Sequence, residues 1–470
     1  MPLLRSVDIR WVTVPTATGA ARIRRMAGPA GVGAGRIRRM AGPAVVGAGR
    51  IRRMAGPAGV GRGRIRRMTG PAVVGTALLL GAAACSSSSG SSTAATGGGS
   101  SAKACAGISA GPINVYNIIP LTGPTATSGQ LIESIAGVAA DYFNAHNSIC
   151  GHQIAVHNLD DKGDPATSLG IARQLVTSGD TIVMQDSFGA AEDLIHPYLM
   201  QHKVLIVNGN GAYSLYNAKQ NPYSFSVGPS NVEYAQVMVN WAKSHGYTKI
   251  GILTDGSSFG NELTADTLAQ MKADGLTLVK EVTYSPTSVV LTTPVEQLRQ
   301  AGVQTVFPTG FTDVLQIVQA IKQIGWSPHL VGWGNLAVFG VTAAQVPPGT
   351  VDSCDYRYTP GKPTSALLTP MITGMLKAEA AKIGINTQTY GVIGQYIEYQ
   401  ALAHAIETAG SLNATKMAAA LDGTSSLATV VPGLSLDFTA TPTVHNGYPL
   451  SYFTECTMQN GPYDLRYAAN

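Results

Sequence analysis

Three aspartates and a lysine stand within five residues of the stretch LDDKGDPAT, Leu159–Thr167: Asp160, Asp161, Lys162 and Asp164, with Gly163 between them. Carboxylates this close can hold a cation, exchange protons in acid/base catalysis, or accept the free N–H groups at a helix start. A calcium loop would need further oxygen ligands at set intervals and a closing bidentate Glu, and the sequence lacks both. The spacing instead predicts a helix start. Asp164 is placed to cap, and Pro165 falls at the first helical position, where its missing N–H costs nothing and its fixed φ suits the helix. Asp160, Asp161 and Lys162 then fall at the end of a strand and in the loop after it.

The rest of the chain offers little enzyme chemistry. Its nine histidines are scattered, with no metal-ligand spacing. There is no G-x-S-x-G elbow, P-loop or H-E-x-x-H motif. GNGAY and DGSSFG are turn sequences, too common to signal a nucleotide. No sequence pattern pairs a nucleophile with a base. The expectation is a protein that is not an enzyme and carries no metal or cofactor.

The elements around these residues alternate. INVYNII (113–119), QIAVHNLD (153–160), TIVMQ (181–185) and KVLIVN (203–208) read as buried strands. Between the first two, Ile132, Ile135, Ala136, Ala139, Ala140 and Phe143 recur at helical spacing on one face. Helices are expected at 166–177 and 190–201. After PYSFSVGPS the pattern restarts: helix 232–244, strand KIGILTD, helix 260–273, strand LTLVKEVTY, helix 294–300, strand TVFPT, helix 314–324 and strand HLVGW. Helical segments follow at 364–383, 390–409 and 414–421, and the tail from Leu434 is strand-like and rich in turns. Repeated βαβ units predict an α/β fold with two doubly wound parallel sheets, each covered by helices on both faces.

Charge is unevenly divided. Of 32 basic and 27 acidic residues, 15 arginines and the single acid Asp8 lie in 1–84, leaving 17 basic against 26 acidic beyond. The globular part therefore gives no reason to expect nucleic acid. RIRRM recurs from Arg22, Arg36, Arg50 and Arg64. Its 14-residue period is too short for a solenoid, and its Gly/Pro/Ala tails hold too little apolar surface to pack. Such repeats could bind nucleic acid or anionic lipid. The reading preferred is that translation starts further in, at Met54 or Met68, or that the repeats are removed.

The last repeat runs into PAVVGTALLLGAAAC, a basic, then apolar, then small-residue pattern of signal-peptide size ending at Cys85. It resembles a bacterial lipoprotein signal, although Ala82 stands where that pattern prefers Leu. The tract Ser86–Ala102 reads as a flexible tether, which suits an anchored Cys85; a secretory signal with a spare thiol is the alternative. Four further cysteines in an exported chain suggest two disulfides, Cys105–Cys150 and Cys354–Cys456 among three connectivities, against four buried thiols.

IIPLTGPTATSGQ (118–130), LDDKGDPATSLGIARQLV (159–176) and NPYSFSVGPSNVEYAQVMVNWAKSHGYTKIGILTDGSSFGNEL (221–263) resemble the branched-chain amino-acid-binding proteins. These are extracytoplasmic solute receptors of ABC importers with the type I periplasmic-binding-protein fold. The resemblance runs from about Ile113 to Asp437. It implies two lobes joined by a hinge of three crossings: 1–84 repeats and signal, 85–109 tether, 110–228 plus 358–440 lobe 1, and 229–357 plus 441–470 lobe 2. It further implies a small-molecule solute, permease subunits as partners and a monomer, and the signal ending at Cys85 adds a lipid anchor at the outer face of the cytoplasmic membrane. A sensing receptor built on the same clamshell is the alternative.

By that resemblance the solute lies at the C-terminal ends of strands, where helix N-termini offer free N–H groups. Ser187 and Phe188, in MQDSFGAAE, fall in a loop that binds the ligand's carboxylate in the family; Ser187 can equally cap the following helix. Gly209, Asn210 and Gly211 occupy the next such loop, with glycine where the family has threonine. Phe259 falls where a tyrosine is common, Phe311 at another pocket aromatic, and Ser128 where an aromatic is frequent. Trp333 replaces the Asp or Glu that pairs with a ligand ammonium. A buried ammonium needs a polar or charged partner. An apolar or aromatic solute with a carboxylate near Ser187 is therefore favoured over an α-amino acid, with a quaternary ammonium held by cation–π contact as the lesser alternative, unless Trp333 packs in the hinge and Asp313 or another acid supplies the anchor.

Overall fold

The computed structural model describes residues 105, 108–123, 125–285, 288–311, 313–338, 341, 343–355, 369–383, 391–449, 452–457 and 466–467. The repeats, the signal, Cys85 and most of the tether lie outside them, as does the first part of the helix expected from 364.

Five parallel strands make the first sheet: β1 (Ile113–Ile119), β2 (Ile154–Asp160), β3 (Ile182–Asp186), β4 (Leu205–Asn208) and β5 (Ser224–Ser226), in the order β2-β1-β3-β4-β5. Helices α1 (Ala126–His146), α2 (Pro165–Ser178), α3 (Ala190–Gln201) and the one-turn α4 (Tyr213–Tyr216) connect them. β1 shows why the strands read as apolar runs. Ile113 and Val115 pack with Ile135, Ala139 and Phe143 of α1, whereas Ile118 packs with Ala172 of α2 and Ile195 and Leu199 of α3. Alternate residues point to opposite faces, and both faces are covered.

The second parallel sheet has the order β7-β6-β8-β9, from β6 (Ile250–Thr254), β7 (Leu278–Thr283), β8 (Thr305–Pro308) and β9 (His329–Leu330). Its helices are α5 (Asn231–Ser244), α6 (Ser258–Ala273), α7 (Thr292–Gln300) and α8 (Val314–Gln323), with a short α9 (Asn335–Val338) after β9. α5 opens with a capping box between Ser230 and Glu233. In both sheets the chain reverses its winding direction beside the first strand laid down, and such switch points leave a crevice at the strands' C-terminal ends.

β10 (Val351–Cys354) bridges to Val331 and leads back toward the first sheet, where α10 (Pro370–Ile383) and α11 (Val392–Ala409) both pack on α1. α12 (Ala414–Asp422) and the hairpin of β11 (Leu427–Ala428) and β12 (Ser435–Leu436) follow. The tail returns later than expected. Val444 bridges to Asn217 and Asn446 to Ser226 of β5, and His445 stacks on Phe225 at 4.2 Å, so these residues lie against the edge of the first sheet. β13 (Thr454–Thr457) pairs antiparallel with β10 and with β14 (Arg466–Tyr467) in a separate three-stranded sheet, and Phe453 before it meets Tyr234 of α5 edge-on at 5.1 Å.

Cys105 and Cys150 form a disulfide, with Cα atoms 5.8 Å apart. Cys354 is also disulfide-bonded, and Cys456 sits on the strand paired with it, opposite Asp352.

Candidate functional site

The aspartate cluster does structural work. The Asp164 carboxylate accepts the Thr167 N–H at 2.8 Å, with Pro165 opening α2, as the sequence implied. Asp160 accepts the N–H groups of Leu121 (2.9 Å), Thr122 (3.1 Å) and Lys162 (3.0 Å) and the Thr122 hydroxyl (2.6 Å). Slight burial works against its ionisation, but the bonds from Thr122, Lys162 and Leu121 outweigh it and hold the carboxyl below the ordinary aspartate range. Gly123 sits in this turn at φ +95°, where a Cβ would lie 2.8 Å from the Lys162 carbonyl oxygen, so P-L-T-G needs its glycine.

Asp161 points the other way, into the core. It is fully buried and accepts the Gly163 N–H at 2.9 Å, the Ser168 hydroxyl at 2.8 Å and the Ser187 hydroxyl. Ser187 has φ +73°, a left-handed conformation that disfavours a side chain, and the bond to Asp161 helps hold it there. Its carbonyl accepts the Gln185 side-chain amide at 2.8 Å. The loop after β3 is thereby fixed so that the next residue, Phe188, reaches a cavity.

That cavity is narrow, with a volume of about 70 Å³. Its rim comes from the loops after β3, β4, β6, β8 and β9, all at C-terminal strand ends. Phe188, Gly209, Asn210, Gly211, Phe259, Phe311 and Trp333 line it, so seven of the nine expected ligand residues converge. Ser187 is not among the lining residues, and its hydroxyl donates to Asp161. Ser128 is buried in α1 and does not line it either.

The rings form one contiguous wall. Phe259 lies 4.7 Å and Phe311 5.5 Å from Trp333, centroid to centroid, and Phe259 meets Phe311 edge-on at 5.1 Å. Phe188, from the first sheet, stacks on Phe311, from the second, at 5.1 Å. Tyr234 of α5 meets Trp333 edge-on at 5.1 Å. Buried aspartates fasten the second-sheet loops too. Asp255 accepts the Phe311 N–H at 3.1 Å, and Asp352 accepts the Gly334 N–H at 2.7 Å. Trp333 is 5% exposed, and its Nε1–H donates to the Gly310 carbonyl at 3.3 Å.

Asn210 is likewise held. Its amide donates to Glu192 at 2.5 Å, its side-chain oxygen accepts the Ala212 N–H at 2.9 Å, and its own N–H reaches Asn208. Burial, followed by the nearby Asp186 and Asp193, pushes the Glu192 carboxyl well above its ordinary range. Asp186 in turn meets His196 Nδ1 at 2.6 Å. Asp313, the alternative anchor, does not line the cavity. Its carboxylate accepts the Tyr284 hydroxyl, and burial, then Asp255, raises its pKa to about 7.

Sequence reasoning missed Ile132, Ile135, Gln185, Tyr234, Gln395 and Glu398 as lining residues. The last two had a signal: a glutamine and a glutamate one turn apart in the apolar helix VIGQYIEYQALA, where the Gln395 amide donates to Glu398. Among the described residues no group of three His, Cys, Asp or Glu is placed to hold a metal ion, and no helix is long and apolar enough to cross a membrane.

Two α/β lobes with an aromatic cavity built from the strand ends of both define a ligand-binding clamshell. Residues 112–458 match the model of the periplasmic binding protein family, and the chain belongs to that family, whose members bind ligands rather than transform them. It is 26% identical to the Leu/Ile/Val-binding protein homolog 3 of Brucella melitensis over 42% of this chain, spanning about half (54%) of that relative. With homolog 8 of Brucella abortus it shares 25% identity over 62% of this chain and 75% of the relative. A leucine-binding protein from Thermotoga maritima has the same fold, with a TM-score of 0.60 and 14% identity over 76% of this chain and 98% of that one.

Proposed function

We propose that this chain is an extracytoplasmic receptor that captures a small solute with an apolar or aromatic body and delivers it to the permease subunits of an ABC importer. The ring-lined cavity between the strand ends of the two sheets carries this reading. A mostly apolar pocket with a few polar groups suits a small organic molecule, and the Leu/Ile/Val-binding names of the relatives point to the same class of task. Capture works by closure: the solute contacts both lobes and so favours the closed arrangement.

In this reading lobe 1 comprises 110–228 and 358–447, lobe 2 comprises 229–357 and the remaining tail, and the chain crosses between them three times. Cys354 pairs with Cys456. Acyl chains on Cys85 hold the monomeric receptor at the outer face of the membrane, since dual acylation gives stable anchoring. Trp333, where a carboxylate would pair with an amino acid's ammonium, disfavours branched-chain amino acids. The test is a thermal-shift screen of ligand-free protein against amino acids, carboxylates, amines and neutral aromatics. A rise in melting temperature with an apolar-bodied compound is expected, and a flat response to the whole panel would remove the reading.

A further inference from the structure

A second groove opens between α4 and the tail on the first-sheet side and α5 and α6 on the second, with a volume of about 590 Å³. It shares only Gly211 with the ring-lined cavity. Glu233, Asp266 and Asp437 line it, Glu262 stands close to Asp266, and no Lys, Arg or His occurs among the described lining residues. Three of these acids accept backbone N–H groups: Glu233 that of Ser230, Glu262 that of Ser214 and Asp437 that of Thr439. None of the four has a cationic partner among the described residues. Burial, then Glu262, holds the Asp266 carboxyl above its ordinary range. An acceptor on the same wall is also unsatisfied. Asn231 is 1% exposed, and its amide donates to the Phe259 carbonyl at 3.4 Å, which turns its oxygen the other way, beside Gly211. That oxygen meets no donor among the described residues, and a buried acceptor left unpaired calls for a ligand. The exposed side chains of Tyr213 and Val232 flank the acids. Yet among the described residues no three acids converge where one metal ion could sit.

We propose that this groove binds an extended organic polycation of the aliphatic polyamine class, its ammonium groups reaching Glu233, Asp266, Asp437 and the Asn231 oxygen and its methylenes crossing Tyr213 and Val232. The donor set selects this class. Spaced carboxylates match spaced ammoniums, each with three N–H donors, whereas a metal ion needs its oxygens gathered about one point. Crowded like charges oppose one another's ionisation, and a cation among them removes that cost. The methylene runs between the amines cover apolar side chains, and the Tyr213 ring attracts a cation further. The site is distinct from the solute cavity and does not depend on what that cavity holds.

Calorimetry on the full chain with spermidine, n-butylamine and Mg²⁺ tests this, at low salt and above the Glu233 value of about 7. Spermidine should bind one to one and about tenfold or more tightly than either of the others, a step of about 1.4 kcal/mol. Asp266→Asn removes a charge that has no partner, so the fold should stand; it should weaken spermidine about fivefold. Glu281→Gln, at an exposed acid on β7 outside the groove, should leave the affinity within about twofold. Mg²⁺ or n-butylamine binding as tightly as spermidine would show a diffuse counter-ion effect only and overturn the proposal. Absence of spermidine binding overturns it too, as do equal losses in Asp266→Asn and Glu281→Gln. Should Asp266→Asn fail to fold, the ranking of the three ligands on the wild-type chain decides.

Discussion

Replacing Ser187 separates two effects that the structure puts on one residue. Its hydroxyl donates to the buried Asp161 carboxylate, and its backbone sits at φ +73°. Ser187→Ala removes the hydrogen bond and keeps a Cβ in the left-handed region. A hydrogen bond to a charged group contributes about 1.5–3 kcal/mol, so this variant should lose roughly that much. Ser187→Gly loses the same bond but relieves the backbone, which is worth about 1 kcal/mol for a non-glycine residue held at positive φ. The glycine variant should therefore be the more stable of the two by about 1 kcal/mol, despite glycine's greater freedom in the unfolded chain. Asp161→Ala orphans three donors at once and should cost about 3–5 kcal/mol, a large share of an ordinary folding free energy. Urea unfolding of the three variants measures the differences. All three should also weaken solute binding, because Phe188 is the next residue. Equal stability for the alanine and glycine variants, or unchanged solute affinity in all three, would refute the claim that Asp161 holds the Phe188 loop in a strained conformation.

Burial raises Asp313 and Glu233 to about 7, from unfolded values near 4. Folded-state pKa values above the unfolded ones mean that the native state binds more protons between about pH 4 and 7. Stability from these groups should be full below pH 4 and fall as pH rises toward 7; Asp313→Asn should flatten that slope in urea titrations run from pH 4 to 8. Gly211→Ala would place a Cβ 2.9 Å from the Asn231 side-chain oxygen and 3.0 Å from the Pro229 carbonyl. It should destabilise by about 1–3 kcal/mol and lower solute affinity, read by urea unfolding and calorimetry. The Cys105–Cys150 bond spans 45 residues, so replacing both cysteines with serine should cost about 4 kcal/mol by loop-closure entropy, measured by urea unfolding under oxidising conditions.

The two sheets were legible because their strands are apolar runs bounded by turn residues and their helices carry one apolar face. The β1 and α1 patterns were sufficient to order the layers. The return of Val444–Asn446 to β5 was not legible, because single bridges at a sheet edge leave no periodic trace. In the site, Phe188, Phe259, Phe311 and Trp333 could be placed by motif position after predicted strands. The turn of the Ser187 hydroxyl toward Asp161 was not legible, because it depends on a contact 26 residues away in sequence. Glu398 lies in a helix whose buried faces blur any amphipathic signal, so its approach to the cavity followed only from the packing of α11 on α1. The densest charge cluster turned out to brace the loop that carries Phe188.

Native mass spectrometry of the protein and of its Trp333→Ala variant, both purified without added solute, tests the central claim most directly. A small molecule with an apolar or aromatic body should accompany the wild-type chain and be lost from a variant that remains folded. A branched-chain amino acid in the wild-type protein, or a solute retained equally by Trp333→Ala, would contradict a cavity that recognises its ligand through the ring wall.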